Sequence, residues 1–129
     1  MVEIHGWITI RDDFKITETD KTEQVAEIIK QEVKKLNMDV KWMNGECYMQ
    51  FVLYSNHWAD DCDDIFDIYK TIAYKAKGSY GLLYIHDDDN AESYNEFIIY
   101  RLIRGKLEKF NDNLLSPFVP VVEDKDFYN

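Results

Sequence analysis

The residues of this chain best equipped for chemistry are three histidines, two cysteines and a surplus of carboxylates. His86 stands directly before Asp87-Asp88-Asp89. An imidazole beside three carboxylates is a donor set for a divalent cation, and metal-activated hydrolysis is the reaction it would support. The spacing matches no calcium-binding loop, and neither an HExxH pattern nor paired cysteines accompany it. A solvated polar turn is the better reading, so no metal is expected. Covalent catalysis needs a nucleophile beside a base. No GxSxG is present, and Cys47 and Cys62 fall where small core residues belong. The five glycines are isolated, which leaves no phosphate cradle. Carboxylate pairs occur throughout so acidic a chain and do not by themselves indicate glycosidase chemistry. No catalytic residue and no cofactor are expected, and the protein reads as a non-enzyme.

What remains is the charge itself. Twenty-five acidic against fifteen basic residues give −10, and the excess is concentrated. Between His57 and Glu96 there are ten acidic and three basic residues. Such a field repels nucleic acid and speeds encounter with a cationic partner. No basic stripe accompanies the aromatics, so nucleic-acid binding is disfavoured. The candidate partner-binding residues are Asp60, Asp61, Asp63, Asp64, Asp87, Asp88, Asp89 and Glu92, with Trp58 as an aromatic anchor. Plainer roles compete: solubility for the carboxylates, and for Trp58 a staple holding a helix entry to the core.

Positioning these groups requires a fold. Glu3–Arg11 alternates and is rich in β-branched and aromatic residues, which predicts a strand with Trp7 buried; Asp12-Asp13-Phe14 ends it. Asp20 three residues before Glu23 is a carboxylate capping box, and Val25, Ile28, Ile29, Val33 and Leu36 follow at helical spacing, so a helix is expected from Lys21 to Leu36, ended by Asn37. Asn44-Gly45 between alternating apolar residues predicts a type I′ hairpin pairing Met43 with Glu46, Trp42 with Cys47, Val40 with Met49 and Met38 with Phe51, with Trp42 in the core. A second helix begins within Asn56–Asp61. Its first turns hold Asp60, Asp61, Asp63 and Asp64, where the helix dipole favours negative charge. Cys62, Ile65, Tyr69, Ile72, Ala73 and Ala76 form its buried stripe, and Gly78 is the expected C′ residue. Strands Tyr80–His86 and Asn95–Arg104 follow, the latter apolar on both faces and so placed centrally, with Gly105 allowing a bulge or tight turn before Lys106–Phe110. The proline-broken tail Leu114–Val122 is expected to pack as extended chain, and 123–129 to fray.

The expectation is one α+β domain over 1–129, of order β-α-β-β-α-β-β, with two helices packed on a largely antiparallel sheet. At 46% hydrophobic the chain can bury a core without disulfide or metal. Two cysteines do not make a secreted framework, Met1–His5 carries no basic n-region, and no apolar run could span a membrane. A cytoplasmic protein with reduced thiols is the default.

His5-Gly6-Trp7, Tyr80-Gly81-Leu82-Leu83-Tyr84-Ile85-His86-Asp87-Asp88, Tyr100-Arg101-Leu102-Ile103-Arg104-Gly105-Lys106-Leu107 and Leu115-Ser116-Pro117, in this order and spacing, resemble the immunity protein seven family of bacterial polymorphic toxin systems. The resemblance runs from His5 to about Asp124. It implies a small α+β protein that binds and neutralises a cognate toxin domain encoded beside it. Many such toxins are nucleases, and a basic one would suit the acidic surface. The chain departs from the family pattern at His86, where a basic residue such as arginine is expected. The alternative is an acidic adaptor domain without a toxin partner.

Overall fold

Alternation in the first strand decides how the two sides of the sheet are used. In a computed structural model that describes residues 1–13, 20–36 and 38–124, strand β1 (Val2–Ile10) buries Val2, Ile4, Ile8 and Ile10 on one face. Trp7 therefore points the other way and is 44% exposed, contrary to the burial expected for it. The chain continues through α1 (Thr22–Glu32), a 3-10 turn (Val33–Lys35), β2 (Met38–Met43), β3 (Glu46–Ser55), α2 (Asp60–Lys75), β4 (Tyr80–Asp87), β5 (Ile98–Ile103), β6 (Lys106–Asn111) and the short α3 (Phe118–Val121). The six strands form one sheet in the order β2-β3-β1-β4-β5-β6, and every neighbouring pair is antiparallel. Both long helices lie on one face. Their buried residues join Cys47, Met49 and Phe51 of β3, Leu83 and Ile85 of β4 and Leu102 of β5 in a single core.

The α+β class and the two helices on an antiparallel sheet are as expected, but the element order is longer. The second hairpin is the difference. Arg104 and Gly105 have φ of 50° and 73°, as Asn44 and Gly45 have 52° and 79°, so both hairpins turn with two successive positive-φ residues. The first hairpin has the register expected from its sequence. The second makes Lys106–Asn111 a sixth strand, which lacks a strand pattern because an edge position lets Lys106, Lys109 and Asn111 stay in water. β5 is accordingly next to an edge rather than central, and it is shorter than Asn95–Arg104 because residues 91–95 form turns. Trp42 keeps its predicted partner Cys47 but is 44% exposed, since β2 is the other edge.

The helices differ from expectation at their ends. Asp20 Oδ1 accepts the Thr22 N–H (3.0 Å) and hydroxyl (2.5 Å), while the described hydrogen bonds include none back from Glu23. Ile28 is exposed, and Leu36 packs against the core from beyond the 3-10 turn. Phe14, Asn37 and 125–129 lie outside the described residues. α2 begins at Asp60, and its buried residues include the expected stripe from Cys62 to Ala73 together with Ile68, with Ala76 buried as the residue that caps its C-terminus. Gly78 is not a left-handed cap. A Cβ there would meet the backbone of Asp13, so glycine serves a close approach of two loops.

One buried contact fixes α2 on the sheet. The Tyr69 hydroxyl donates to the Leu82 carbonyl (2.8 Å), and its ring meets Phe51 edge-on (6.0 Å between centroids). Burial raises the phenol pKa and keeps it protonated as a donor. The hydroxyl reaches the sheet because Gly6 has no side chain; a Cβ there would overlap both the Phe51 ring and the Tyr69 hydroxyl.

The tail is held as well, though not as extended chain throughout. Asp112 is buried and accepts the N–H groups of Leu114 and Leu115 (both 3.0 Å) and the Ser116 hydroxyl (2.8 Å). Burial alone would raise its carboxyl pKa, but these three donors outweigh it and hold it below the usual range. Ser116 Oγ accepts the Phe97 N–H, and Asn95 bonds both the N–H and the carbonyl of Val119, which ties α3 to the start of β5. Leu114, Val121 and Val122 are exposed.

Two outcomes follow from the core. Gly6→Ala is expected to lower unfolding free energy by about 1–3 kcal/mol through overpacking, and Tyr69→Phe by about 1–2 kcal/mol through a buried carbonyl left unpaired; urea unfolding measures both. Cys47 and Cys62 are free and buried, and burial pushes the Cys47 thiol up to about 11. Neither is expected to react with a thiol reagent in the native protein, and both should react in denaturant.

Candidate partner-binding site

The acidic residues singled out in the sequence come from two elements, and the loop before α2 joins them. That loop is fixed by the Ser55 hydroxyl, which donates to the His57 carbonyl (2.6 Å). His57 Nδ1 then donates to Asp89 Oδ2 (2.8 Å) across 32 residues of sequence. Trp58 donates its indole N–H to Asp63 Oδ1 (2.9 Å) and leans on Phe66 (6.1 Å between centroids). His57, Trp58, Asp87, Asp89 and Asn90 thus line one shallow hollow of about 580 Å³. Trp58 is both staple and exposed aromatic: it packs on α2 and still shows 40% of its surface.

Beyond the hollow the carboxylates diverge. Asp60 and Asp61 are exposed on the first turn of α2. Asp64 lies further round the helix, where it lines a groove between α1 and α2 with Asp67 and Glu32. Asp88 binds the Met1 ammonium (2.6 Å). Glu92 is exposed in the loop after β4, where its N–H is held by Asn90 Oδ1 (2.9 Å). The structure therefore unites Trp58, Asp63, Asp87 and Asp89 around one hollow and leaves Asp64 outside it. The hydrogen bond from His57, reinforced by the Met1 ammonium, holds the Asp89 carboxyl below its usual range.

The carboxylates of Asp87, Asp88 and Asp89 approach within 4.8 Å of one another, a spacing a cation could bridge, but two of them already have partners, Asp88 in the Met1 ammonium and Asp89 in the His57 ring. His86 is not in that group. Strand alternation turns it to the opposite side of the sheet, where it is buried between Phe97 (4.9 Å) and Phe118 (4.6 Å) and donates from Nε2 to the Tyr94 carbonyl (2.9 Å). Its role there is to seat α3 on the sheet end.

Sequence reading missed His57 and Asn90, since nothing in local spacing ties residue 57 to residue 89. It also missed the sheet face away from the helices. Trp7, Tyr48, Val52, Tyr54, Tyr80 and Phe110 are all exposed there, and the alternation with buried residues along β3 was the available signal.

The short motifs have structural counterparts: Gly6 under Tyr69, β4 at the sheet centre, the Arg104-Gly105 turn, and Ser116 between Phe97 and Asp112. No helix among the described residues is long and apolar enough to cross a membrane. No curated protein and no solved structure matches the chain. The family model described as Immunity protein 7 matches residues 1–124, nearly the whole chain and every one of these motifs. The chain belongs to the Immunity protein 7 family.

Proposed function

We propose that this chain is a cytoplasmic immunity protein that neutralises a cognate toxin domain by binding it directly, without catalysis, cofactor or metal. Family membership supports the toxin-system role. The acidic end described above supports the choice of surface: a hollow lined by Asp87, Asp89 and a partly exposed Trp58, with Asp60, Asp61 and Asp63 on the adjoining first turn of α2 and Asp88 and Glu92 on the loop after β4. Inhibition needs only a complementary surface. A negative field accelerates encounter with a basic toxin, and a half-exposed indole supplies the short-range contact. A nuclease is the toxin class whose substrate-binding cleft must be basic, so a nuclease is the partner this surface fits best.

Co-expression of this chain with the toxin domain encoded beside it tests the proposal. Growth should be rescued and the two proteins should co-purify. Continued killing in the presence of folded protein would overturn it and favour the adaptor reading. Where rescue is seen, the variant combining Asp60→Lys, Asp61→Lys and Glu92→Lys probes the surface. Its association rate with the toxin at low salt should fall by about 10-fold or more, and the wild-type rate should drop steeply with added salt. An unchanged rate would show that the acidic end is not where the toxin meets the chain.

A further inference from the structure

We propose that the sheet face opposite the helices is a self-association surface whose occupant is the same face of a second copy of this chain. This goes beyond the toxin-binding reading and does not depend on it.

The face is rich in exposed aromatics and, apart from the end where Phe118 of α3 covers His86, open among the described residues. Trp7, Val52 and Tyr84 line a groove of about 670 Å³ with Gln50 and Leu82, and Tyr48, Tyr54, Tyr80 and Phe110 stand around it. Tyr54, Val52 and Trp7 are 58%, 47% and 44% exposed. An exposed patch of this kind on an otherwise charged protein marks an interaction site. Six strands about 4.8 Å apart, each six to ten residues at about 3.3 Å, span an area on the order of 500–700 Å² before side-chain relief is counted and before the end that α3 covers is taken away. That approaches the roughly 800 Å² per partner of a standard stable interface.

Charge selects the occupant. The register places four carboxylates on this face (Glu3, Asp39, Glu46, Glu108) and four bases (Arg11, Lys41, Arg101, Lys106), so its formal charge is zero within a chain of −10. Three of the four acid–base pairs also close inside the face, and Glu3 accepts from His5. Arg11 binds Glu46, Lys41 binds Asp39 (3.1 Å), Arg101 binds Glu108 (3.2 Å) and His5 binds Glu3 (2.7 Å). Arg11 and Arg101 further cover the rings of Tyr80 and Phe110. Two copies repel wherever the acidic end would approach its like. Here the formal charges of the face cancel, aromatic side chains meet aromatic side chains, and the repulsion that remains is that between the two acidic chains as wholes. A basic partner gains no long-range attraction from a face whose charges are already matched. A face-to-face pair with two-fold symmetry also leaves the acidic end and its hollow open on both copies.

Sedimentation of the full chain from about 1 to 200 µM provides the test. A concentration-dependent dimer is expected. Trp7→Glu and Val52→Glu, made separately and each with native circular dichroism and cooperative unfolding, should weaken it by about 100-fold, since each places two carboxylates in one desolvated contact. Asp61→Lys should not weaken it. Raising salt from 0.05 to 0.5 M should tighten the dimer about 2- to 10-fold by screening the repulsion between copies, the opposite of the toxin association. A chain that is monomeric throughout this range overturns the proposal, as does a dimer that survives both glutamate variants. A wild-type monomer whose Trp7→Glu variant instead loses toxin affinity also overturns it, and assigns the face to the toxin.

Discussion

The missing side chain of Gly6 is the constraint on which the rest of the structure depends. It lets Tyr69 reach through the core to the Leu82 carbonyl, joining α2 to β1 and β4 at the middle of the sheet. With α2 fixed at that point, α1 packs beside it, and the two cover one face with a continuous apolar layer. The same anchor determines where the first turn of α2 falls. Asp60–Asp63 then sit at the end of the sheet where β4 runs out into Asp87–Asp89, and His57 links the two. The hollow at that end is thus a consequence of core packing.

Charge and apolar surface are segregated by the same geometry. The helical side and the β4–β5 end hold the net negative charge, while the open face carries matched ion pairs and rings. Long-range attraction and short-range stickiness therefore belong to different surfaces. A diffusing basic partner is drawn to the acidic end first. On the proposed reading, the acidic end would capture a toxin and the open face would hold a second copy.

Much of this was legible in the sequence, because local rules and burial agreed there. The Asn44-Gly45 turn and the alternation around it specified the first hairpin residue by residue, and the stripe from Cys62 to Ala76 specified the buried side of α2. Where a residue answered to the whole sheet, local pattern failed. Trp7 and Trp42 read as core because they are large and apolar, yet one faces the open side and the other sits on an edge strand. β6 was hidden by its edge position, which tolerates lysine and asparagine. His86 stood next to three aspartates in sequence but across the sheet from Asp87 in space, as a two-residue period requires. The union of Trp58 with Asp87 and Asp89 needed the fold, since only the loop at His57 brings them together.

The most direct test of the central claim, that the acidic end engages the toxin, is amide hydrogen exchange of the chain with and without saturating toxin domain. The account predicts new protection in Asn56–Asp63 and Asp88–Glu92, with the amides of the edge strand β2 unchanged by the toxin at constant protein concentration. Protection confined to β2 and the open sheet face, with the loops around His57 and Asp89 exchanging as before, would contradict it.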